Sequence, residues 1–249
     1  MRPRLAPMKA IQFAAKMGFI TKDIWRNHLG SGKYSWNQEQ WAELTKRGYF
    51  VPHPYPYARD VLIFNPLLKG TPLFERLTPV KHPYAWQIVH DEVLAKIIIE
   101  IKKSMMVSKW MCEAELERDG ALEFCLKKES KQLKYPDAII ELKTANQNFR
   151  IALEVERTRK SLKRYRSTAF AYSDKSNISL IIFICENVAT IDTISGVFQQ
   201  VRFPLSKQPV GFGLISEWIK NPKQAVLVIN KQKTSLENIL AKLDRKLAS

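Results

Sequence analysis

Two neighbouring apolar runs carry acidic residues at defined positions, and this pattern constrains the fold more than any other feature of the chain. The segment YPDAIIELKTANQNFRIALEVERTRKS spans residues 135–161. Its first run opens with Pro136 and Asp137, and its second ends with Glu154 and Glu156 before a basic stretch. Short apolar runs joined by a polar turn predict two antiparallel strands. Carboxylates in such strands are costly to bury unpaired, so they lie on a solvated face or converge on positive charge.

The alternation of side chains along a strand places Glu154 and Glu156 on the same face. The hairpin brings Asp137 beside them, in a register that the turn decides. Three adjacent carboxylates repel one another unless a cation lies among them, and a hard divalent ion such as Mg²⁺ or Mn²⁺ prefers oxygen ligands. We therefore expect Asp137 and Glu154 as metal ligands. The alternative is that the acids form ion pairs with the basic helix or position a second copy in a homodimer.

The charge balance indicates a polyanionic partner. The 249 residues contain 40 Lys and Arg against 24 Asp and Glu, a formal net charge of +16. Such an excess favours nucleic acid or an anionic surface as the ligand, and a merely basic globular protein is the alternative. The longest apolar run, 178–185, has the length of a strand and is too short to span a membrane. Three cysteines without metal-ligand spacing indicate reduced thiols in a cytoplasmic protein.

The order of elements over residues 84–230 predicts a mixed sheet flanked by helices, an α+β or α/β arrangement. A long helix is followed by strands in KWMCEAELER, PDAIIELK and FRIALEVE, a basic helix at 159–172, the strand ISLIIFIC and a helix at 190–201. An antiparallel meander followed by a helix and another strand gives a mixed sheet with helices on both faces. Residues 231–249 predict a C-terminal amphipathic helix.

Residues 8–66 predict three helices and a hairpin. The helices lie in PMKAIQFAAKMG, TKDIWRNHLG and SWNQEQWAELTKRG, each closed by a glycine, and YFVPH and RDVLIF flank a turn. This arrangement resembles a winged helix-turn-helix domain, in which the third helix enters the major groove of DNA. The alternative is that the module binds a protein or packs on the rest of the chain. Residues 67–83 are rich in proline and predict a linker. The resemblance implies DNA contacts by exposed side chains of the third helix and the wing, namely Asn37, Gln40, Lys46, Arg47 and Arg59.

The second block resembles the PD-(D/E)xK nuclease fold. Pro136, Asp137 and Glu154 match the first two positions of its signature, whereas Glu156 occupies the position of the usual lysine. The resemblance implies a Mg²⁺- or Mn²⁺-dependent DNA endonuclease site made by Asp137, Glu154 and Glu156, with Lys160 as the replacement for the missing lysine. The basic helix would grip the phosphodiester backbone of double-stranded DNA through Arg159, Lys163 and Arg166.

Most of the chain, about residues 8 to 200, resembles the replication-relaxation proteins of plasmids and other mobile elements. The matching pieces are HDEVLAKI, KWMCEAELER, YPDAII and ALEVERTRKS. The resemblance implies a DNA-binding protein that acts in replication control, transfer or transcription alongside other proteins of the element. A glutamate at the lysine position removes the cation beside the attacking water, which favours a degenerate nuclease domain. The alternatives are an active metal-dependent endonuclease, an RNA-binding protein or a protein-assembly module.

Overall fold

The computed structural model describes residues 5–30, 34–55, 60–126, 134–143, 148–173, 175–201 and 208–246. The chain forms two compact units, Met1–Ile99 and Glu100–Ser249. The first unit contains a small antiparallel sheet with helices, and the second contains a larger mixed sheet flanked by helices. These features confirm the predicted mixed α/β class. Within the described residues, no helix combines the length and the apolarity that crossing a membrane requires.

The first unit follows the predicted order of helices and hairpin. Its β3 pairs antiparallel with both β1 and β2, so the predicted hairpin gains a third, two-residue strand. The second predicted helix is present as a π-helical turn. The elements in chain order are α1 (Leu5–Met17), β1 (Ile20–Thr21), the π-helical turn (Ile24–Leu29), α2 (Tyr34–Lys46), β2 (Phe50–Pro52), β3 (Val61–Phe64), a 3-10 turn (Pro66–Leu68), α3 (Pro72–Leu77) and α4 (Ala85–Ser104).

Regular structure also occupies the proline-rich segment 67–83. Thr71 caps α3, since its hydroxyl accepts a hydrogen bond from the Phe74 amide at 3.3 Å. Pro72 takes the first helical position, where its missing N–H is not needed. The boundary between the two units falls after Ile99, within α4.

A close backbone approach holds the segment that precedes α4. Gly18 ends α1 with a φ of +80°, and a Cβ at this position would lie 2.6 Å from the carbonyl oxygen of Lys81. A glycine is therefore required both for the left-handed conformation and for the space. The Val80 amide donates to the Ala15 carbonyl at 2.9 Å, which ties the same segment to α1.

The second unit is a sheet with the strand order β10-β9-β8-β7-β6-β5-β4. The first three strands form an antiparallel meander, α6 and α7 connect the parallel strands β6, β7 and β8, and the last two strands return antiparallel. The elements after α4 are β4 (Val107–Cys112), α5 (Glu113–Arg118), a 3-10 turn (Leu122–Phe124), β5 (Ala138–Lys143), β6 (Asn148–Glu156), α6 (Leu162–Ser173), β7 (Leu180–Cys185), α7 (Val188–Gln200), β8 (Val210–Leu214), α8 (Ile215–Trp218), β9 (Val226–Ile229), β10 (Gln232–Ser235) and α9 (Leu236–Lys246).

Three predicted elements have different bounds. The predicted C-terminal helix begins at Leu236 and not at residue 231, because Gln232–Ser235 forms β10. The strand predicted in KWMCEAELER ends at Cys112, and Glu113–Arg118 is helical because Ala, Glu, Leu and Arg are good helix formers. The basic helix begins at Leu162 and not at residue 159, so Arg159 and Lys160 lie in the connection that precedes it.

The core of the second unit lies between one face of the sheet and helices α6 and α7. Aromatic rings dominate it, with Phe183 and Phe212 stacked at 5.9 Å between centroids and Phe198 edge-on to both. Helix α6 contributes the buried residues Tyr165, Ala169 and Tyr172. This helix therefore covers the end of β6 where the acidic residues lie.

Candidate functional site

Three carboxylates converge where β5 begins and β6 ends, as their positions in the sequence predict. Ala138 pairs with Leu153, so the preceding Asp137 lies beside Glu154. Asp137, Glu154 and Glu156 are all buried. The acids do not lie on a solvated face, and each has a partner within the protein.

Glu154 is bound by two donors on its two oxygens. Lys134 Nζ donates to Oε2 at 3.2 Å, and the Tyr172 hydroxyl donates to Oε1 at 2.7 Å. Burial alone would lower the pKa of Lys134, but the charges of Glu154 and Asp137 outweigh it and raise that pKa. Burial, and then the charge of Glu154, raises the pKa of Tyr172 well above its ordinary value. Glu154 is thus held by one buried cation and one buried neutral phenol.

Asp137 is bound by the backbone of the neighbouring strand. Its Oδ2 accepts a hydrogen bond from the Val155 amide at 2.7 Å. The side chain supplies this acceptor just before β5 begins at Ala138. A carboxylate that accepts a backbone N–H at this point joins the start of one strand to the end of the other.

Glu156 forms an ion pair with Lys160. Lys160 Nζ lies 2.7 Å from Oε1, and the Lys160 amide donates to the Tyr165 hydroxyl at 2.9 Å. The second oxygen, Oε2, is buried and has no hydrogen-bond partner among the described residues. Burial raises the pKa of Glu156 even though Lys160 lowers it. Burial beside Glu156 also raises the pKa of the Cys185 thiol to about 12, so this cysteine stays protonated.

We expect the free energy of unfolding of Glu156→Gln to rise, relative to that of the wild type, as the pH rises from 4 to 7. The pKa of Glu156 is raised above its ordinary 4.5 in the folded protein. Stability from this group is therefore fully present below about pH 4.5 and is lost as the pH rises through the raised value. Glutamine has no carboxyl group to ionise, so the variant does not lose this stability as the pH rises. Urea unfolding of both proteins at several pH values measures the difference.

The exposed Glu117 provides the control for that experiment. Glu117→Gln should give a difference from wild type that varies less with pH. A Glu156→Gln difference that stays constant over the same pH range would contradict the expected titration.

The acidic side chains do not fit a divalent ion in this arrangement. Both oxygens of Glu154 accept hydrogen bonds from protein donors. The ammonium groups of Lys134 and Lys160 lie beside the carboxylates of Glu154 and Glu156, where a metal ion would otherwise supply the positive charge. The buried Oε2 of Glu156 would supply only one ligand, whereas Mg²⁺ requires an octahedral arrangement of oxygen ligands. In the part of the chain that the structure describes, no group of three or more His, Cys, Asp or Glu side chains is arranged to hold a metal. In this arrangement Lys134 and Lys160 neutralise Glu154 and Glu156.

The residues predicted to read DNA differ in exposure. Gln40 is only 7% exposed, and its amide atoms have no hydrogen-bond partner among the described residues. The expectation that Gln40 is exposed is therefore wrong, because it lies four residues before the buried Leu44, on the same helical face. Lys46 and Arg47 are exposed, and Arg47 pairs with Glu43 at 2.6 Å. The side chain of Asn37 and the whole of Arg59 lie outside the described residues.

The segment 157–166 presents a row of cations to solvent. Six of its ten residues are Lys or Arg, and it contains no acidic residue. Within the described residues, none of its exposed members forms a salt bridge, although Arg166 donates to the neutral Gln200 at 3.3 Å. Those exposed members are Arg159, Lys163, Arg164 and Arg166.

Two partners of Glu154, Lys134 and Tyr172, were not predicted from the sequence. Lys134 lies in the lysine-rich segment LKKESKQLKYPD, where no pattern distinguishes it from its neighbours. Tyr172 did leave a signal, because Tyr165, Ala169 and Tyr172 recur at the spacing of one helical face. Tyrosines on the buried face of a helix need hydrogen-bond acceptors, and a carboxylate on the sheet below is one.

A scan against protein-family models matched no family, and a search of curated proteins found no match.

Proposed function

We propose that this chain binds double-stranded DNA as a protein of a mobile genetic element, in replication control, mobilisation or transcription, and that its nuclease-like domain is inactive. The observation that supports this proposal is a separation of charge. Lys134 and Lys160 pair with the buried Glu154 and Glu156, while four other cations of 157–166 are exposed and form no salt bridge among the described residues, namely Arg159, Lys163, Arg164 and Arg166. Exposed, unpaired cations are the groups that bind DNA phosphates.

The inactivity follows from the position of Lys160. In a PD-(D/E)xK nuclease, a lysine beside the acidic pair helps to activate the attacking water. Here the corresponding position is Glu156, and the ammonium of Lys160 is bound to it at 2.7 Å. This cation is therefore committed to neutralising a buried carboxylate and does not replace the missing lysine.

The first unit would recognise the duplex in this proposal. Its helices and β2–β3 hairpin are compatible with a winged helix-turn-helix, in which α2 would occupy the major groove. Lys46 and Arg47, at the C-terminal end of α2, are exposed and remain candidates for this contact. Gln40 is buried and is therefore not a candidate for this contact.

Replacing Arg159, Lys163 and Arg166 together by alanine should weaken binding to all duplexes by similar factors. Phosphate contacts carry no sequence information, so the loss should be the same for unrelated sequences. Fluorescence anisotropy with two unrelated duplexes over a salt series measures it. The slope of log affinity against log salt should become smaller by about three, roughly one for each lost contact.

A matched triple variant removes the same charge elsewhere in the second unit, at the exposed residues Lys220, Lys233 and Lys242. This control should retain most of the wild-type affinity. If both triple variants lose the same affinity, the net charge and not the segment 157–166 carries the binding. If wild-type protein binds no duplex even at low salt, the proposed function is wrong.

A metal-dependent endonuclease is the second candidate, favoured by the convergence of Asp137, Glu154 and Glu156 next to Lys160. We expect no nicking of supercoiled plasmid in the presence of Mn²⁺, because the acids already have protein partners. Nicking that is abolished by Asp137→Asn and by Glu154→Gln would establish the enzyme and overturn the first proposal. Nicking that survives both changes would indicate a contaminating nuclease.

A further inference from the structure

Three aromatic side chains at the start of α4 and in the neighbouring hairpin are unusually exposed. Trp86 is 76% exposed, Tyr84 52% and Tyr55 47%. The rings of Tyr84 and Trp86 are parallel within 4°, with their centroids 6.3 Å apart. Tyr84 and Trp86 form an aromatic platform within the first unit, and His53 links Tyr55 to the adjacent Pro83. Clustered exposed rings of this size mark an interaction site more often than isolated ones do.

The platform is held in place by its backbone. The Tyr84 amide donates to Gln87 Oε1 at 3.0 Å, the reciprocal half of a capping box at the start of α4. A ring nitrogen of His53 lies 3.3 Å from the Pro83 carbonyl oxygen, and the same ring stacks on Tyr55 at 5.3 Å between centroids. Rings that are fixed before binding lose little entropy when a ligand stacks on them.

A cation lies beside the platform. Lys81 Nζ lies 5.4 Å from the centroid of the Tyr84 ring. The first turn of α4 contains no acidic residue, so the positive end of the helix dipole is not opposed there. The complementary ligand is planar and anionic. Unpaired nucleotides combine flat bases with a phosphate, and aromatic side chains beside cations are how proteins bind single strands.

We propose that Trp86, Tyr84 and Lys81 bind unpaired bases of single-stranded DNA, with a base stacked on the exposed face of Trp86 and its phosphate near Lys81. This site is separate from the duplex contacts proposed above and does not depend on the segment 157–166. It would let the protein hold a region of DNA in which the two strands are separated.

The test compares an oligodeoxythymidine with an abasic oligonucleotide of the same length and charge. The wild type should bind the oligodeoxythymidine more tightly and show quenched tryptophan fluorescence on binding. Trp86→Ala should lower that affinity about tenfold, in the range of one lost stacked base, and leave binding to the abasic strand unchanged. Trp86→Phe should retain part of the wild-type affinity for the oligodeoxythymidine.

Val89→Ala is the matched control, since Val89 is an exposed apolar residue of α4 without a ring. It should bind the oligodeoxythymidine like the wild type. Equal wild-type affinity for the two strands, or full affinity in Trp86→Ala, would overturn the proposal. Self-association that disappears in Trp86→Ala in sedimentation would also overturn it and would make the platform a protein interface.

Duplex binding measured in parallel separates this inference from the proposed function. If the wild type binds duplex DNA but not the oligodeoxythymidine, the platform proposal fails and the proposed function stands. If Trp86→Ala loses single-strand binding and keeps duplex binding, the two sites are distinct.

Discussion

Lys134→Met is expected to lower the free energy of unfolding by about 3–5 kcal/mol. The substitution keeps the length of the side chain and removes the cation that lies 3.2 Å from Glu154 Oε2. Glu154 is 1% exposed, so its charge would remain in the interior without its ion-pair partner. A buried carboxylate that loses its cation costs far more than a surface pair does. Chemical denaturation followed by tryptophan fluorescence measures the change.

A second substitution identifies the cause. In Lys134→Met/Glu154→Gln the buried charge is absent, and glutamine can still accept the hydrogen bond from Tyr172. We expect the double variant to be more stable than Lys134→Met alone, because neutral replacements of a buried ion pair are often tolerated. The exposed Lys143 gives the control, and Lys143→Met should change stability by less than about 0.5 kcal/mol. A double variant as unstable as the single one would show that Lys134 acts through packing and not through its charge.

The affinity of the wild type for duplex DNA is expected to fall about 1,000-fold between roughly 50 and 200 mM salt. If the four exposed cations of 157–166 together with Lys46 and Arg47 each contact one phosphate, about six contacts form, and each releases a condensed counterion. A slope near −5 in a plot of log affinity against log salt follows from that number. Anisotropy titrations of one duplex at four salt concentrations are sufficient to measure it.

The anion identity provides the control for the salt series. Replacing chloride by glutamate at the same concentration leaves the cation atmosphere of the DNA unchanged, so the slope should be retained. A slope between zero and about −2 would mean that only one or two phosphates are neutralised. The +16 charge would then serve another purpose, and the proposed DNA-binding function would lose its main support.

The two predictions depend on different sets of lysines and arginines. Lys134 and Lys160 are bound to buried acids, so they stabilise the fold and contribute little to the surface potential. Arg159 and Lys163 lie close to Lys160 in the chain but are exposed. The number of lysines and arginines in a chain therefore overstates its DNA-binding surface unless the cations that neutralise buried acids are first subtracted, as the net charge already does.

Local patterns in the sequence predicted the strands β4 to β7 and the location of the acids, whereas β8, β9 and β10 were not predicted. The period of two along β6 placed Glu154 and Glu156 on one face. The predicted hairpin put Asp137 near them, but the structure was needed to fix the register in which Asp137 lies beside Glu154. Gly18 and Gly48 were recognised as helix ends, and both have positive φ values, +80° and +72°. The shared face of the two glutamates and the helix ends depend on neighbours in the chain, which is why the sequence alone was sufficient for them.

Only the tertiary structure decided what neutralises the acids. Lys134 and Tyr172 are separated from Glu154 by 20 and 18 residues, and no periodicity relates either of them to that position. The burial of Gln40 and the end of β4 at Cys112 depended likewise on packing against other elements. A carboxylate in a strand shows that a partner is needed, because burying it alone is costly. Whether the partner is a metal ion, a lysine or a phenol depends on which side chains the fold brings within about 3 Å of it, the distance of a hydrogen bond.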